Sequence, residues 1–316
     1  MAVFTRVGES AFEKFAAPFG LEPPYKLCPI IEGIENTNYR VTAGGSEYVL
    51  TLLEGRSREF DAEILARILE HLRARRLPVP QPLRTPEGSS SKPLMERQAM
   101  LASWLSGRSV SHPNEKHCKL AGQALARLHV AGQGLENIGG NRFGVDSWRD
   151  YFETFRDRLE LKSTSTSRTI TEELDFLDKN WPSDLPSGLV HTDFFPDNLL
   201  FENGAVSGLL DFYYACKDFF AYDLAIALTA WCGRAEEWPH RALTHSFLGG
   251  YESARSIKAS ERRALPILLR GACLRFALTR LHDWIATPKN AIVKKKNPME
   301  YMLKLETAKN LDGPLQ

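Results

Sequence analysis

The sequence predicts an α+β protein of two lobes: an N-terminal antiparallel β lobe with one main helix, and a larger, mostly α-helical C-terminal lobe. Three observations predict it. Short β-like runs separated by turn residues occupy residues 25–54, helical spacing of apolar residues dominates after Gly107, and one β-rich segment interrupts the helical half at residues 188–210. We therefore expect a β-rich lobe at residues 1–105 and a helical lobe at residues 106–316.

The N-terminal lobe is predicted to contain two helices and several strands. Apolar residues at three-to-four spacing predict helices over residues 9–19 and 57–76, and the prolines within residues 77–82 stop the second helix. Strand-like segments, in which short apolar runs lie between turn residues, cover residues 25–54, 92–96 and 99–105.

Helical periodicity predicts most of the C-terminal lobe. The predicted helices cover residues 112–132, 146–161, 170–180, 220–233, 240–255, 259–285 and 298–309. Within the β-rich segment, Asn203-Gly204 is a two-residue hairpin turn between two strand-like runs. The polar runs at residues 89–91, 163–167 and 294–296 are interpreted as solvated loops.

Composition and charge exclude several functional classes. The 40 Lys and Arg residues nearly balance the 39 Asp and Glu residues, so no global field attracts nucleic acid or an anionic membrane. The five cysteines are scattered and the eight histidines dispersed, which argues against a disulfide framework or a zinc site. No segment has the apolar length of a membrane helix or of a signal peptide. We expect a cytoplasmic protein, monomeric or homodimeric, that acts on a small molecule.

Polar residues suited to chemistry are concentrated in the β-rich segment, at the ends of apolar strands. A hairpin brings its two ends together, so Asn198 and Asp211 are expected to converge beside Asp193. An Asn amide oxygen and an Asp carboxylate are hard ligands of the kind that magnesium uses. Phosphoryl transfer also needs a carboxylate that accepts the proton of the attacking hydroxyl. We predict Asp193 in that role, Mg²⁺ on Asn198 and Asp211, and His191 as a catalytic-loop residue that steadies the turn.

The spacing of His191, Asp193 and Asn198, written H-x-D-x4-N, carries a family resemblance together with the run Leu-Leu-Asp-Phe at residues 209–212. It resembles the paired motifs of the aminoglycoside phosphotransferase and choline kinase group, relatives of the protein kinases. Residues 124–129 and 222–225 are similar to further segments of that group, in which the acid at Asp223 is structural. The resemblance implies a protein-kinase-like fold with ATP and Mg²⁺ as cofactors.

Residues 33–39, 48–52, 77–80 and 211–216 together look like the bacterial homoserine kinase branch of this superfamily. That branch implies ATP-dependent phosphorylation of the side-chain hydroxyl of L-homoserine, giving O-phospho-L-homoserine for threonine biosynthesis. Two alternatives stay open. A kinase of the same fold acting on choline, an aminoglycoside or a sugar fits the same loop, and a catalytically inactive nucleotide-binding member fits the neutral Thr51 at the position of the usual β3 lysine.

The resemblance also supplies candidate binding residues. With no lysine at Thr51, phosphate contact is expected from backbone N–H groups and from Asn and Thr side chains. The expected cofactor-binding residues are Gly33, Asn36, Thr37, Asn38, Thr51, Met100 and Leu101. A zwitterionic amino acid needs an anion for its ammonium and a cation for its carboxylate. The substrate-binding candidates are Glu35, Tyr213, Tyr214 and Asp218, with Arg234, Arg275 and Arg280 as possible cations.

Overall fold

The computed structural model describes residues 5–30, 36–54, 61–286 and 296–311. Its elements fall into two compact units. The first comprises Met1–Arg108 together with Leu200–Tyr213, and the second Ser109–Leu199 and Tyr214–Ala291 with the C-terminal residues. The first unit is built on an antiparallel sheet and the second on helices, so the predicted α+β class is confirmed.

A five-stranded sheet forms the centre of the first unit. Its strands are β1 (Tyr25–Pro29), β2 (Thr37–Ala43), β3 (Ser46–Leu52), β4 (Ser91–Leu94) and β5 (Arg97–Ser103). They lie in the order β1-β2-β3-β5-β4, and each neighbouring pair is antiparallel. This order places Asn38 of β2 opposite Thr51 of β3, and Thr51 opposite Met100 of β5.

One face of this sheet is covered by α1 (Glu9–Ala16), which continues as a 3₁₀ turn to Phe19 and ends at Gly20 in the left-handed conformation. Alternate residues of β2 point into this core, as expected for a sheet with one buried face. Phe12 and Phe15 of α1 pack there with Tyr39 and Val41. Asn38 and Thr51 therefore lie on the other face of the sheet.

The second helix of the first unit, α2 (Ala62–Ala74), begins at the N-cap Asp61, whose side chain accepts a hydrogen bond from the Glu63 N–H. Glu63 in turn accepts hydrogen bonds from the Ser90 N–H at 2.6 Å and from its hydroxyl at 2.7 Å. Ser90 is completely buried. The interpretation of residues 89–91 as a solvated loop is therefore wrong at Ser90, because a long-range contact with α2 buries it.

The hairpin of β7 (Leu199–Glu202) and β8 (Ala205–Leu209) turns at Asn203 and Gly204, both with positive φ. The predicted hairpin turn is confirmed. Its strands join the first unit through reciprocal backbone hydrogen bonds between Arg108 and Phe201 and one from the Leu209 N–H to the Pro78 carbonyl.

The second unit contains eight helices among its described residues and a small sheet. The helices are α3 (Glu115–Ala131), α4 (Val145–Glu153), α5 (Arg156–Glu160), α6 (Thr164–Asn180), α7 (Phe220–Trp231), α8 (Arg241–Glu252), α9 (Ala259–Ala286) and α10 (Met299–Lys309). The sheet pairs β6 (Ser187–Val190) with β9 (Cys216–Phe219). None of the helices in the described ranges is both long and apolar enough to cross a membrane.

Two sequence interpretations fail in this unit. Residues 163–167 are not a solvated loop, because Ser163 is the N-cap of α6 and its hydroxyl accepts a hydrogen bond from the Thr166 N–H. The helix predicted over residues 146–161 is divided between α4 and α5 at Thr154 and Phe155. The spacing of apolar residues alone shows neither that Ser163 caps a helix nor that a helix ends at Thr154.

Helices α3 and α8 approach closely where each carries a glycine. A Cβ added at Gly122 would lie 2.0 Å from the Phe247 carbonyl oxygen, and one added at Gly250 would lie 2.0 Å from the Lys119 carbonyl oxygen. Backbone atoms cannot rotate away as a side chain can. The absence of a Cβ at both positions is therefore what permits this helix pair to pack.

We expect Gly250→Ala to lower the free energy of unfolding by about 1–3 kcal/mol, because the new methyl group overpacks against backbone. The neighbouring Gly249 is a matched control, since an added Cβ there meets nothing within 4 Å. Gly249→Ala should stabilise the protein by up to about 1 kcal/mol through helix propensity. Thermal unfolding of both variants measures the difference, and equal shifts would contradict the packing argument.

Candidate active site

The candidate catalytic loop follows β6 in the second unit. His191 and Thr192 directly after the strand are fully buried, and the loop closes in a 3₁₀ turn at Pro196–Asn198. Thr192 has a φ of 60°, a left-handed conformation that a β-branched residue rarely adopts. Such backbone persists only when its surroundings hold it.

Asp223, in the first turn of α7, holds the loop by its backbone. Its carboxylate accepts hydrogen bonds from the His191 N–H at 2.8 Å and the Thr192 N–H at 2.7 Å. The same carboxylate lies 3.0 Å from Nε2 of His129 on α3. Burial alone would raise the pKa of Asp223, but these hydrogen bonds outweigh burial and lower it, so the group stays an anion.

Two further contacts complete the restraint of Thr192. Its hydroxyl donates to the Tyr214 carbonyl at 2.9 Å, and its own carbonyl accepts a hydrogen bond from the guanidinium of Arg275 on α9. With Asp223 on its N–H, every polar group of Thr192 has a partner in a different part of the second unit. The buried Arg275 therefore restrains the conformation of the loop. From the sequence it was predicted only as a possible cation for the substrate carboxylate.

A buried chain of polar groups lies behind Asp223. The ring of His129 also contacts the Tyr251 hydroxyl at 2.7 Å, and that hydroxyl accepts from Arg255 at 3.0 Å. Arg255 pairs with the fully buried Glu261 at 2.9 Å. Burial lowers the pKa of His129, so the ring is neutral and donates its Nε2–H to Asp223. Helices α3, α7, α8 and α9 are thereby tied to the loop.

Asp193 is the partly buried carboxylate of the loop, and it contacts two residues predicted to work with it. The Asn198 Nδ2 group donates to the Asp193 carbonyl at 2.9 Å and to its carboxylate at 3.2 Å. The Asp193 N–H donates to Nδ1 of His191 at 3.3 Å. Burial raises the pKa of the Asp193 carboxyl, although the charges of Arg275 and Lys296 oppose the rise. A raised pKa suits a group that accepts a proton.

In the first unit, the predicted cofactor residues separate into two groups. Thr51 donates to the Asn38 side-chain oxygen at 2.6 Å, and the Tyr213 hydroxyl is hydrogen-bonded to Thr51. Burial raises the pKa of Tyr213, so its hydroxyl remains protonated. Met100 and Leu101 are buried in β5 beside β3. Thr51, Asn38 and Tyr213 thus form a cluster of neutral polar groups.

Asn36 and Thr37 have a different use. Both are buried; Asn36 accepts a hydrogen bond from the Glu54 N–H at 2.9 Å, and the Thr37 hydroxyl donates to the Glu54 carboxylate at 2.7 Å. Their side chains are therefore engaged with the segment after β3, and their predicted part in phosphate binding stays a prediction. Gly33 and Glu35 lie outside the described residues.

The remaining candidates occupy defined positions. Asp211 is partly buried two residues after β8, with a φ of 63°. Tyr214 contributes its carbonyl to Thr192, and its ring packs edge-on against Phe143 with centroids 5.6 Å apart.

Asp218 is a partly buried acid in β9 and not the exposed partner of Lys217 that sequence proximity favours. Its carboxylate accepts from the Asn141 side chain at 2.7 Å and from the Phe219 N–H at 2.6 Å. Burial raises the pKa of Asp218. The role of Asn141 was not predictable from the sequence, because nothing in the loop that contains it indicates a contact with a residue 77 positions further along the chain.

Comparison with known proteins places the chain in a family. The model of a phosphotransferase enzyme family matches residues 26–257. A homoserine kinase of Beijerinckia indica subsp. indica is 42% identical over 305 residues, which cover 96% of this chain and 95% of that protein. A homoserine kinase of Rhodospirillum rubrum is 39% identical over 314 residues, 99% of this chain and 98% of that protein.

Solved structures give the same fold at much lower identity. An amicoumacin kinase in complex with AMP-PNP, Ca²⁺ and Ami superposes with a TM-score of 0.71 at 17% identity, covering 98% of this chain and 95% of that chain. A spectinomycin phosphotransferase in complex with ADP and its drug gives a TM-score of 0.66 at 14% identity, with 96% and 95% coverage. The predicted protein-kinase-like fold is confirmed.

Proposed function

Because the chain belongs to the phosphotransferase enzyme family, we propose that it transfers the γ-phosphoryl group of ATP to the side-chain hydroxyl of L-homoserine, giving O-phospho-L-homoserine. The observation that carries phosphoryl transfer is the restrained loop, in which Asp193 lies next to Asn198 at the end of β6. Homoserine as the acceptor rests on the relatives of that name, which match this chain over nearly its whole length.

The chemistry follows from the position of Asp193. As the hydroxyl oxygen of the acceptor attacks the γ-phosphorus, its proton passes to the Asp193 carboxylate. A new P–O bond forms to the acceptor, and the P–O bond to the β-phosphate breaks, leaving ADP. The raised pKa of Asp193 makes its carboxylate a better proton acceptor, and Asn198 keeps one carboxylate oxygen oriented.

A magnesium ion bound with the nucleotide supplies charge neutralisation at the phosphates. The donor chemistry of the chain fits it. Because Nδ2 of Asn198 is occupied by Asp193, the Oδ1 atom is the one left for a ligand, and this oxygen is what a magnesium ion uses. The Asp211 carboxylate is the second proposed ligand. The proposed nucleotide contacts are Gly33, Asn36, Thr37, Asn38, Thr51, Met100 and Leu101.

An amino-acid acceptor requires an anion for its ammonium group, and Asp218 is the proposed group. Its two hydrogen bonds from Asn141 and the Phe219 N–H keep the carboxylate oriented in a partly buried position. Tyr213, Tyr214 and Glu35 are proposed as further acceptor contacts. A half-buried carboxylate gains more from a bound ammonium than an exposed one, because water screens the pair less.

We expect Asp211→Ala to weaken the binding of MgATP by about tenfold or more, since the variant removes a charged ligand rather than a proton acceptor. Equilibrium dialysis with and without Mg²⁺ separates the binding of ATP itself from the contribution of the metal, because the binding of metal-free ATP should change little. An unchanged MgATP affinity would contradict the assignment of Asp211 as a metal ligand.

The proposed function is tested by an ADP-release assay with purified protein, MgATP and one acceptor at a time. The acceptors are L-homoserine, choline, an aminoglycoside and common sugars. We expect turnover with L-homoserine, and turnover at least about 100-fold slower in a parallel preparation of Asp193→Asn, which controls for contaminating kinases. Turnover with another acceptor and none with L-homoserine would refute the acceptor while leaving phosphoryl transfer intact.

A further inference from the structure

Lys296 lies directly against the candidate catalytic loop, although the sequence assigned it to a solvated run. Its ammonium nitrogen is 3.6 Å from a carboxylate oxygen of Asp197 and 5.2 Å from the centroid of the Phe195 ring. Both partners belong to the loop that carries Asp193. A cation at this separation from an aromatic ring is attracted to its face.

The backbone beside Lys296 is anchored. Arg280 of α9, whose side chain is 10% exposed, donates to the Asn297 carbonyl at 3.2 Å and pairs with Glu300 at 2.7 Å. The Asn297 side chain accepts from the Met299 N–H at 3.0 Å, which fixes the start of α10. Asn297, the residue next to Lys296, is thus tied to two helices, which restrains the backbone that carries the lysine.

The ion pair with Asp197 is too exposed to explain this placement by stability. The Lys296 and Asp197 side chains are 44% and 64% exposed, and exposed pairs contribute about 0–1 kcal/mol. The ammonium is therefore free to exchange Asp197 for a stronger anion. Arg275, whose charge also reaches Asp193, is buried and already bonded to the Thr192 carbonyl.

Phosphoryl transfer needs positive charge at the transferring group, and the loop has none of its own. Residues 191–198 contain two aspartates and no lysine or arginine, while Thr51 occupies the position of the usual lysine. We propose that the Lys296 ammonium binds the phosphoryl group as it passes from the β-phosphate to the acceptor oxygen beside Asp193. The inference rests on the proposed function only for phosphoryl transfer, and not for the identity of the acceptor.

In this role Lys296 takes no proton and forms no covalent bond. Its N–H groups donate to oxygens of the phosphoryl group while the acceptor proton goes to Asp193, so the charge that builds on those oxygens is balanced. An interaction that strengthens only during transfer raises kcat and leaves substrate affinity nearly unchanged.

The experiment compares Lys296→Met, Lys296→Arg and Asp197→Asn. We expect Lys296→Met to lower kcat by about 100-fold with KM for ATP changed less than about threefold, as for loss of one transition-state donor. Lys296→Arg should recover part of the loss. If Lys296 acted only through its ion pair with Asp197, Asp197→Asn and Lys296→Met would lose activity equally. That result would overturn the proposal.

Lys309→Met is the control, since it removes a lysine of α10 whose ion pairs, with Glu306 and with the buried Glu173, do not involve the loop. Its kcat should equal that of the wild type. The exposed Lys296 is not expected to be needed for folding. If Lys296→Met nevertheless melts earlier than wild type, alkylation of Lys296→Cys with 2-bromoethylamine, which restores an ammonium, decides the matter: recovered turnover supports the proposal and no recovery contradicts it.

The kcat of each variant is measured in two assays. One uses L-homoserine as the acceptor, and the other follows ATP hydrolysis without an acceptor, in which water takes the phosphoryl group. If L-homoserine gives no turnover, the proposed function fails, yet the hydrolysis rates still test Lys296. A kcat of Lys296→Met within about threefold of wild type in the active assays would refute the role of Lys296.

Discussion

Asp193→Asn is expected to lower kcat by about 10²–10⁴-fold, the usual contribution of a positioned general base. The substituted amide has the shape of the carboxylate and still accepts a hydrogen bond from Asn198, so the loop should keep its conformation. It cannot take the proton of the attacking hydroxyl. MgATP affinity should therefore change little, and rapid-quench measurement of a single turnover reports the chemical step directly.

Asp197→Asn is the matched control for this prediction, because it makes the same chemical change four residues further along the loop. Asp197 is exposed, whereas Asp193 is held by His191 and Asn198. We expect a far smaller loss of turnover in Asp197→Asn. Comparable losses in the two variants would show that charge on the loop, rather than a proton acceptor at Asp193, is what matters.

Asp223→Asn is expected to have the largest effect on stability, lowering the free energy of unfolding by roughly 3–5 kcal/mol. The carboxylate accepts hydrogen bonds from two backbone N–H groups and from His129. An amide presents a donor where one of these partners also donates, so a buried polar group loses its partner. Thr192 then loses one of the three contacts that hold its left-handed backbone, and turnover should fall as well.

Apart from Trp104, the tryptophans lie in the second unit, so their fluorescence during thermal unfolding reports on the unit that contains Asp223. Asp178→Asn is the control. It removes an exposed partner of Arg149, for which about 0–1 kcal/mol is expected. A melting temperature of Asp223→Asn equal to that of the control would contradict the role of the buried network.

The sequence predicted the features that depend on local pattern. The turn at Asn203-Gly204 follows from the preference of these residues for positive φ, and α2 follows from the spacing of its apolar residues. The H-x-D-x4-N spacing located the loop because those residues are close in the chain, and the structure shows Asn198 bonded to Asp193.

Contacts between distant residues were not predictable in the same way. The bond from Arg275 to Thr192 joins residues 83 positions apart, and the loop contact of Lys296 lies 99 positions beyond Asp197. Nothing in the sequence around Arg275 or Lys296 distinguishes these two cations from solvent-exposed ones. Ser90 likewise looked solvated because its burial depends on Glu63, 27 residues earlier. Charge and polarity alone do not report which surface a residue will meet.

³¹P NMR of the reaction follows phosphoryl transfer from ATP to the homoserine hydroxyl, the reaction proposed for the Asp193 loop. With wild-type protein, MgATP and L-homoserine, we expect a new phosphomonoester signal that grows in step with ADP, and that grows at least about 100-fold more slowly with Asp193→Asn. ADP accompanied only by inorganic phosphate would refute transfer to homoserine, and an equal phosphomonoester signal from the Asp193→Asn protein would refute the role of Asp193.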